Sequence, residues 1–579
     1  MSVHRIRILL RRFLHGSQNR EIEPDEIFLD SHNLPKFDQY QFEGRIEKPI
    51  AKKMQFLMVV AVFFIFILYS GRIGYLQLYK GEAFASLSEN NRLQHSIIFA
   101  ERGVLYDRNG IELAWNEVGN KTGVDAGTEE KGEEFAFRRY TSLSGISHVL
   151  GYVGYPLRDS KGNYYQDEFT AKDGAELFFD NRLRGENGLE IEEVDALQDT
   201  KSKNTIRTPK DGQNVTLSID SRLNEELYAL IGKRAQESGF TGGAGILMDI
   251  TNGEIIALAS FPEFDSQVLT DGEPRAQIST YVQDSRKPFL NRIVSGLYTP
   301  GSIVKPIVAV GALSEGVITA EKKILSTGSI RIPNPYVDGA YSVFVDWKAH
   351  GWVDVREAIA NSSNVYFYEV GGGFEDQEGL GIEKINTYTS LFGLGKETGS
   401  LFTEGIGVIP NPAWKAEHFD DGVWRIGDTY NTAIGQYGFQ VTPIQMVRAI
   451  GAIANGGGLL TPILEKGGAV SQTSLGLDDA VLDVVREGMR LGVEEGIAQS
   501  LSTPYVKVAA KTGTAQLGVS KKFVNSWVVG FFPYGAPRYA FVIIMEKGPE
   551  ANLVGASSVM RGYIEWIQIH APEYFSIVN

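Results

Sequence analysis

The sequence predicts an α+β protein carried on a single N-terminal transmembrane helix. Three observations point there. Met54–Gly71 is a stretch of eighteen residues without a charge, long enough to cross a hydrocarbon core of roughly 30 Å. Much later, Ala244–Ile250, the turn Thr251-Asn252-Gly253 and Glu254–Ser260 read as a β-hairpin. Near the C-terminus, Val506–Ala510, Ser526–Phe532 and Tyr539–Met545 supply three further strand candidates. Strands at both ends of a domain with a helical middle imply one five-stranded antiparallel sheet flanked by helices.

With 579 residues the chain is too long for one domain. Its composition, 43% hydrophobic and 22% charged, is that of a globular protein. A formal charge of −15 argues against nucleic acid as a general partner, because a phosphate-binding surface wants the opposite sign. Cysteine is absent, which removes disulfides, thiolate metal sites and cysteine nucleophiles together. The eight histidines show no metal-ligand spacing, so neither a metal nor a cofactor is expected.

In chain order, His4–His15 places Ile6, Leu9, Leu10, Phe13 and Leu14 at helical spacing among four arginines. Two readings stay open for it: a helix lying on an anionic leaflet, or a tail whose arginines only set topology. Residues 21–50 are polar and hold Pro24, Pro35 and Pro49, as a linker does. Residues 1–53 therefore read as a cytoplasmic tail and 54–75 as the transmembrane helix. Arg45, Lys48, Lys52 and Lys53 on its N-terminal flank place the N-terminus in the cytoplasm and the remainder outside. Tyr69, Tyr75 and Tyr79 suit the outer interface. Residues 76–208 are mixed and turn-rich and read as an α/β stalk, with a short strand closing in the turn Asn109-Gly110 and an exposed loop at 120–134. Residues 209–579 read as a compact α/β domain, with a helix around Leu223–Ala235 and a last one over Met560–His570.

The chemistry starts at Gly296–Pro306, where a Pro-Gly break precedes the apolar run Ile303, Val304, Ile307, Val308, Val310 and Leu313. Ser302 then stands at a helix start, where unpaired N–H groups favour developing negative charge. Lys305, one turn on, lies on the same face, so its amine can reach the hydroxyl. A serine needs such a neighbouring base, because its hydroxyl is inert at its free pKa. Alone, the pair reads as readily as a capping serine and a surface lysine. Asn361-Ser362-Ser363-Asn364 sits between two apolar helices and is either a cap or an inward-facing group. Lys511-Thr512-Gly513-Thr514 ends the alternating strand Tyr505–Ala510. A lysine and hydroxyls beside a glycine suit a strand edge that binds a carboxylate and lets a substrate backbone approach.

In combination these tetrads say more. S-x-x-K, S-x-N and K-T-G-T follow one another from Ser302, Ser362 and Lys511 within one domain, and this set is that of penicillin-binding proteins and β-lactamases. The chain resembles the class B penicillin-binding proteins, the monofunctional peptidoglycan D,D-transpeptidases. Arg102–Gly110, His148–Gly154 and Gly174–Glu176 with Leu183-Arg184-Gly185 resemble the family's stalk, or pedestal, of dimerisation type. Asp346-Trp347-Lys348, Tyr368–Gly373, Phe392–Gly395, Gly427–Asn431 and Asn525-Ser526-Trp527 are most similar to the elongation-type branch, penicillin-binding protein 2. The resemblance runs from about residue 54 to the end.

It implies a penicillin-binding, β-lactamase-like transpeptidase fold and a serine acyl-enzyme. Ser302 is then the nucleophile, Lys305 its base, Ser362 the proton donor to the leaving D-Ala, and Asn364 a holder of the substrate amide and of Lys305. Lys511, Thr512, Gly513 and Thr514 bind the substrate carboxylate, and the N–H groups of Ser302 and Thr514 form an oxyanion hole. Lys305 must act neutral, through burial or a nearby cation, for which Lys511 is the candidate. The implied partners are stem peptides ending in D-Ala-D-Ala, β-lactams, the cell membrane and a glycosyltransferase of the SEDS family. A β-lactamase, a β-lactam sensor, or a scaffold that activates such a polymerase remain alternatives. The chain departs from the family in a short stretch between Asn116 and Arg138, in Thr299 where a second proline is common, and in Tyr437 where elongation-type members usually carry glycine. Asp346 and His350 resemble part of a zinc site suspected in relatives, incomplete here without a cysteine.

Overall fold

The structure, a computed structural model, describes residues 51–82, 93–118, 135–160, 163–194, 200–334, 337–400, 402–518, 521–551 and 554–575. The basic stretch at 4–15, the linker up to residue 50 and the loop at 120–134 lie outside them. The chain forms two compact units, 1–92 and 93–579.

In the first unit, helix α1 (Lys52–Gly74) continues through a single π turn, Tyr75–Tyr79. Its 28 residues reach about 42 Å at the α-helical rise, and none of them is buried. The helix exceeds the expected 54–75 because neither the two lysines nor the tyrosines break helical geometry. It is the one helix among the described residues long and apolar enough to span a membrane.

The second unit opens with the stalk. Strand β1 (Leu93–Ile98) pairs with β5 (Gly188–Val194), which pairs with β6 (Thr200–Arg207). A second sheet joins β2 (Leu105–Tyr106), β3 (Glu112–Glu117), β4 (Phe137–Tyr140) and β7 (Val215–Thr216) in the order β7-β2-β3-β4. The β2–β3 turn uses Gly110 at φ 85°, and the Asp107 carboxylate accepts the N–H groups of Asn109 and Ile111 at 2.7 and 2.9 Å. The stalk core holds a buried charge triad: Arg102 and Arg138 each donate to Glu176, at 2.6 and 2.7 Å. Burial alone would raise the Glu176 pKa, but the two guanidiniums hold it below the usual value. Removing one partner from such a set costs about 3–5 kcal/mol.

The catalytic part is built on one sheet. Helix α2 (Ser221–Ser238) leads into β8 (Gly242–Asp249) and β9 (Ile255–Phe261). Helices α3 (Lys305–Ser314), α4 (Val355–Asn361), α5 (Asn364–Gly372), α6 (Pro443–Ala454) and α7 (Asp479–Glu494) follow. Strands β10 (Ala509–Leu517), β11 (Phe523–Phe532) and β12 (Tyr539–Pro549) and helix α8 (Ala556–His570) complete it. The five strands are antiparallel throughout, in the order β9-β8-β12-β11-β10. Period-2 alternation feeds two cores. Leu247, Val528 and Ile543 pack toward Leu227 of α2 and Met560 of α8, while Ile246, Val529 and Val542 join Met446 and Ile450 of α6.

Strand β10 departs from expectation. The sequence predicts a strand over Val506–Ala510 with the Lys511 tetrad at its end, whereas the ladder begins at Ala509 and carries Lys511–Thr514 within it. Ala509 faces Phe531, and β11 ends one residue later at Phe532, so the ladder runs out here, and the Lys507 carbonyl instead accepts the N–H of Tyr534 beyond the strand at 2.8 Å. As β10 is the edge of the sheet, one side of its backbone is left for another chain.

Candidate active site

Ser302 lies in the 3₁₀ turn Gly301–Val304, which runs directly into α3. Pro306 fits the first turn of α3, where its missing N–H has no partner to lose. The loop before the serine is held at four points. Tyr298 and Val441 exchange two backbone hydrogen bonds, both 3.0 Å. The Trp527 indole N–H donates to Thr299 O at 3.1 Å, and the Gly301 N–H donates to Gly435 O at 2.9 Å. From below, β10 presses close: a Cβ on Gly513 would stand 2.9 Å from Ile303 Cγ2 and 3.1 Å from Pro300 O. A Cβ on Gly301 would meet Thr514 O at 3.3 Å. The Thr514 carbonyl therefore faces the turn, and in an antiparallel strand the N–H of the same residue points the same way.

The tetrad at 361–364 is both cap and inward-facing group. Ser363 caps α5 by accepting the Tyr366 N–H, and its hydroxyl donates to Asp346 Oδ2 at 2.8 Å. The same oxygen accepts the Val365 N–H at 2.9 Å, so Asp346 fixes the start of α5. Ser362 closes α4 in the left-handed region at φ 57°, which directs its hydroxyl inward. There Lys305 Nζ donates to Asn364 Oδ1 at 2.7 Å, to Ser362 O at 2.8 Å and to Ser362 Oγ at 3.3 Å. Lys511 Nζ donates to Ser362 Oγ and to Thr512 O, both at 2.8 Å. The structure thus gathers Lys305, Ser362, Asn364 and Lys511 at the base of the Ser302 turn. Thr512 is half-buried and Thr514 exposed along the edge strand.

This geometry fixes the surroundings of both lysines. The i+3 spacing leaves the Ser302 hydroxyl, one turn away, within reach of the Lys305 amine. Its three acceptors on residues 362 and 364 draw it aside, and among the described residues no hydrogen bond joins it to that hydroxyl. Of the two expected routes to a neutral Lys305, burial leads: it pulls Lys305 down to about 7, with Asp346 opposing. Lys511 is itself pushed well down, by burial first and by the charge of Lys305 second. Two cations flanking one buried hydroxyl repel each other, so the pair does not hold two full charges together.

At Asp346 and His350 the carboxylate is engaged by Ser363 and Val365, and His350 Nε2 stands 3.7 Å from it. Among the described residues no group of three His, Cys, Asp or Glu is arranged to hold a metal ion. The sequence alone assigns no positioning role to Asp346, Gly435, Val441 or Trp527. Asp346 and Trp527 sit inside the motifs named above, but Gly435 and Val441 act through backbone atoms, which leave no side-chain signal.

Comparison with known proteins agrees with this construction. Residues 243–562 match the penicillin binding protein transpeptidase domain, and residues 131–217 match the penicillin-binding protein dimerisation domain. The peptidoglycan D,D-transpeptidase MrdA of Salmonella typhimurium is 31% identical over 475 residues, covering 74% of this chain and 72% of the relative. That of Acinetobacter baumannii is 27% identical, covering 87% and 86%. Among solved structures, PBP2 of Helicobacter pylori in its complex with MreC is similar with a TM-score of 0.67 at 26% identity, covering 82% of this chain and 98% of that one. PBP2 of Pseudomonas aeruginosa in complex with WCK 5153 gives 0.63 at 27%, covering 81% and 96%. A five-stranded sheet with this edge, these three tetrads and these relatives places the chain in the penicillin-binding protein transpeptidase family, as a class B member of the elongation type.

Proposed function

We propose that Ser302 is the nucleophile of this peptidoglycan D,D-transpeptidase. The observation that carries the reading is the meeting of two buried lysines on the Ser362 hydroxyl beside the Ser302 turn. The Ser302 hydroxyl attacks the carbonyl of the penultimate D-Ala of a stem peptide, and neutral Lys305 takes its proton. The tetrahedral oxyanion sits between the N–H groups of Ser302 and Thr514, each such donor contributing about 3–4 kcal/mol. The C–N bond then breaks, and Ser362 passes a proton to the departing D-Ala amine, leaving an ester on Ser302. An amine of a neighbouring stem attacks that ester, its proton returns through Ser362 and Lys305, and a cross-link forms as Ser302 is released. Asn364 holds Lys305 and the substrate amide. Lys511, Thr512, Gly513 and Thr514 bind the terminal carboxylate along the edge strand, and that anion restores the charge on Lys511.

We also propose the surrounding organisation: a cytoplasmic tail at 1–53, a membrane span at 54–75, a stalk at 76–208 and a transpeptidase domain at 209–579. The N-terminus lies in the cytoplasm and the catalytic domain outside the cell membrane. The partner is a SEDS-family polymerase. A similar chain from a structure described as coordinating polymerization and crosslinking in a peptidoglycan synthase complex, with a TM-score of 0.66 at 26% identity, supports that part.

Labelled penicillin tests the assignment. The wild type should be acylated at Ser302 and Ser302→Ala should not. A Ser302→Ala protein that still takes the label would refute it. Complementation with Ser302→Ala separates an enzyme from a scaffold, since a scaffold would still support growth.

A further inference from the structure

We infer that Tyr437 is a positioning residue for the nucleophile, locking the strap Gly435–Val441 against the loop Tyr298–Gly301. This rests on the reading of Ser302 above. The strap touches that loop at both ends. Gly435 O accepts the Gly301 N–H, and Val441 exchanges two hydrogen bonds with Tyr298. The contact at Gly435 is close, for a Cβ there would lie 2.2 Å from Gly301 O.

Between these ends stands a residue whose backbone is strained. Tyr437 has φ 65°, a region that side chains with a Cβ avoid at a cost of about 1–2 kcal/mol. A bulky residue stays there only when its surroundings over-determine it. Here three rings enclose Tyr437: Phe419 stacks on it at 5.9 Å, and Trp424 and Trp414 meet it edge-on at 5.8 and 6.0 Å. The Lys415 ammonium lies 5.6 Å over the same ring and is itself tied to Asp428 at 2.7 Å. The phenol hydroxyl faces that ion pair. The neighbouring Gly438, at φ 78°, leaves room for the Trp414 ring, which a Cβ would meet at 2.5 Å.

The cage therefore compels the left-handed turn at 437, and the turn sets the spacing between the two anchor points on the nucleophile loop. No contact joins the Tyr437 ring to Ser302, Lys305, Ser362 or Lys511 among the described residues, so its influence runs through the backbone. Displacing a reacting atom by about 1 Å lowers a rate by roughly 100-fold. Loss of the cage should slow acylation while leaving the initial binding of a small β-lactam unchanged.

The test is stopped-flow acylation of the full chain in detergent by a fluorescent penicillin, which separates the dissociation constant from the acylation rate constant. Tyr437→Phe keeps the ring and should acylate within about threefold of wild type. Tyr437→Ala should lose about 10- to 100-fold in the rate constant, with the dissociation constant within about threefold. Tyr437→Gly relieves the strain but empties the cage, so nothing holds residue 437 at φ 65°; the anchor spacing is no longer fixed and acylation should be similarly slow. Should Tyr437→Ala fail to fold, the glycine variant carries the test, since glycine tolerates this φ without strain yet is not held to it. Rate constants within threefold of wild type in Tyr437→Gly, with the label mapped to Ser302, would overturn this inference alone. A label mapped elsewhere in the wild type would overturn the Ser302 reading and this one with it.

Discussion

Lys511 Nζ donates to the Ser362 hydroxyl at 2.8 Å, across 149 residues of sequence. Lys305 reaches the same oxygen from the opposite wall at 3.3 Å. A hydroxyl can accept from one amine and give its proton to the other, so Ser362 is a bridge between two nitrogens that are both driven toward the neutral form. That arrangement suits proton transfer to and from a reacting serine better than it suits stability. Both lysines are buried, Lys305 at 0% and Lys511 at 1% exposure, and neither faces a carboxylate within hydrogen-bonding distance among the described residues.

The first prediction concerns pH. Acylation of Ser302 needs Lys305 without its proton, and burial brings Lys305 to about 7. The acylation rate with penicillin should rise as pH passes upward through about 7 and then level. Lys305→Arg keeps its proton at any accessible pH and should lose about 10²- to 10⁴-fold. A wild-type profile that stays flat from pH 6 to 9 would remove Lys305 from the role of base.

The second separates conformation from chemistry at Ser362. Its φ of 57° is costly for serine and natural for glycine. Ser362→Gly should therefore keep or raise the melting temperature while acylation falls by about 100-fold or more, as expected for loss of a proton-transfer group. A variant that is both stable and active would make the hydroxyl dispensable.

Much of this architecture is legible in the chain because it rests on side-chain pattern. The hairpin at 244–260 shows as two apolar runs around a Thr-Asn-Gly turn, the last two strands as short apolar runs, and Ser302, Ser362 and Lys511 carry recognisable spacings. What stays hidden depends on partners. The start of β10 is set by where β11 ends at Phe532, which no local pattern around Val506 announces. The direction of the Lys305 amine follows from a carbonyl and an amide contributed by residues 362 and 364, not from its i+3 spacing to Ser302. The strap at Gly435 acts through one backbone oxygen.

The third prediction follows from the contact beneath the nucleophile. A methyl group on Gly513 would lie 2.9 Å from Ile303 Cγ2 and 3.1 Å from Pro300 O, and the carbonyl is the part that cannot yield. Gly513→Ala should push the 300–303 turn away from β10, destabilise the protein by about 1–3 kcal/mol and slow acylation by about 10- to 100-fold. Kinetics of penicillin labelling together with a melting curve decide it. An alanine variant with wild-type acylation would show that the turn is not registered by this strand.

The last prediction lies at the junction of stalk and catalytic domain, away from the reaction. The Glu263 carboxylate accepts the N–H groups of Gly145 and Ser147 at 2.5 and 3.0 Å. Burial raises it to about 7 despite these donors. Between its ordinary value near 4.5 and about 7, the folded protein keeps this proton while the unfolded chain has lost it. The folded state binds more protons there, so stability is present at low pH and falls as pH rises through that window. A tenfold difference in proton affinity between the two states corresponds to about 1.4 kcal/mol. Glu263→Gln cannot ionise; it should cost stability at pH 5, where it gives up one acceptor to an N–H, but should lose less on going to pH 8. Melting temperatures of both proteins at pH 5, 6, 7 and 8 should therefore converge as pH rises, whereas parallel curves would mean that Glu263 titrates the same in both states.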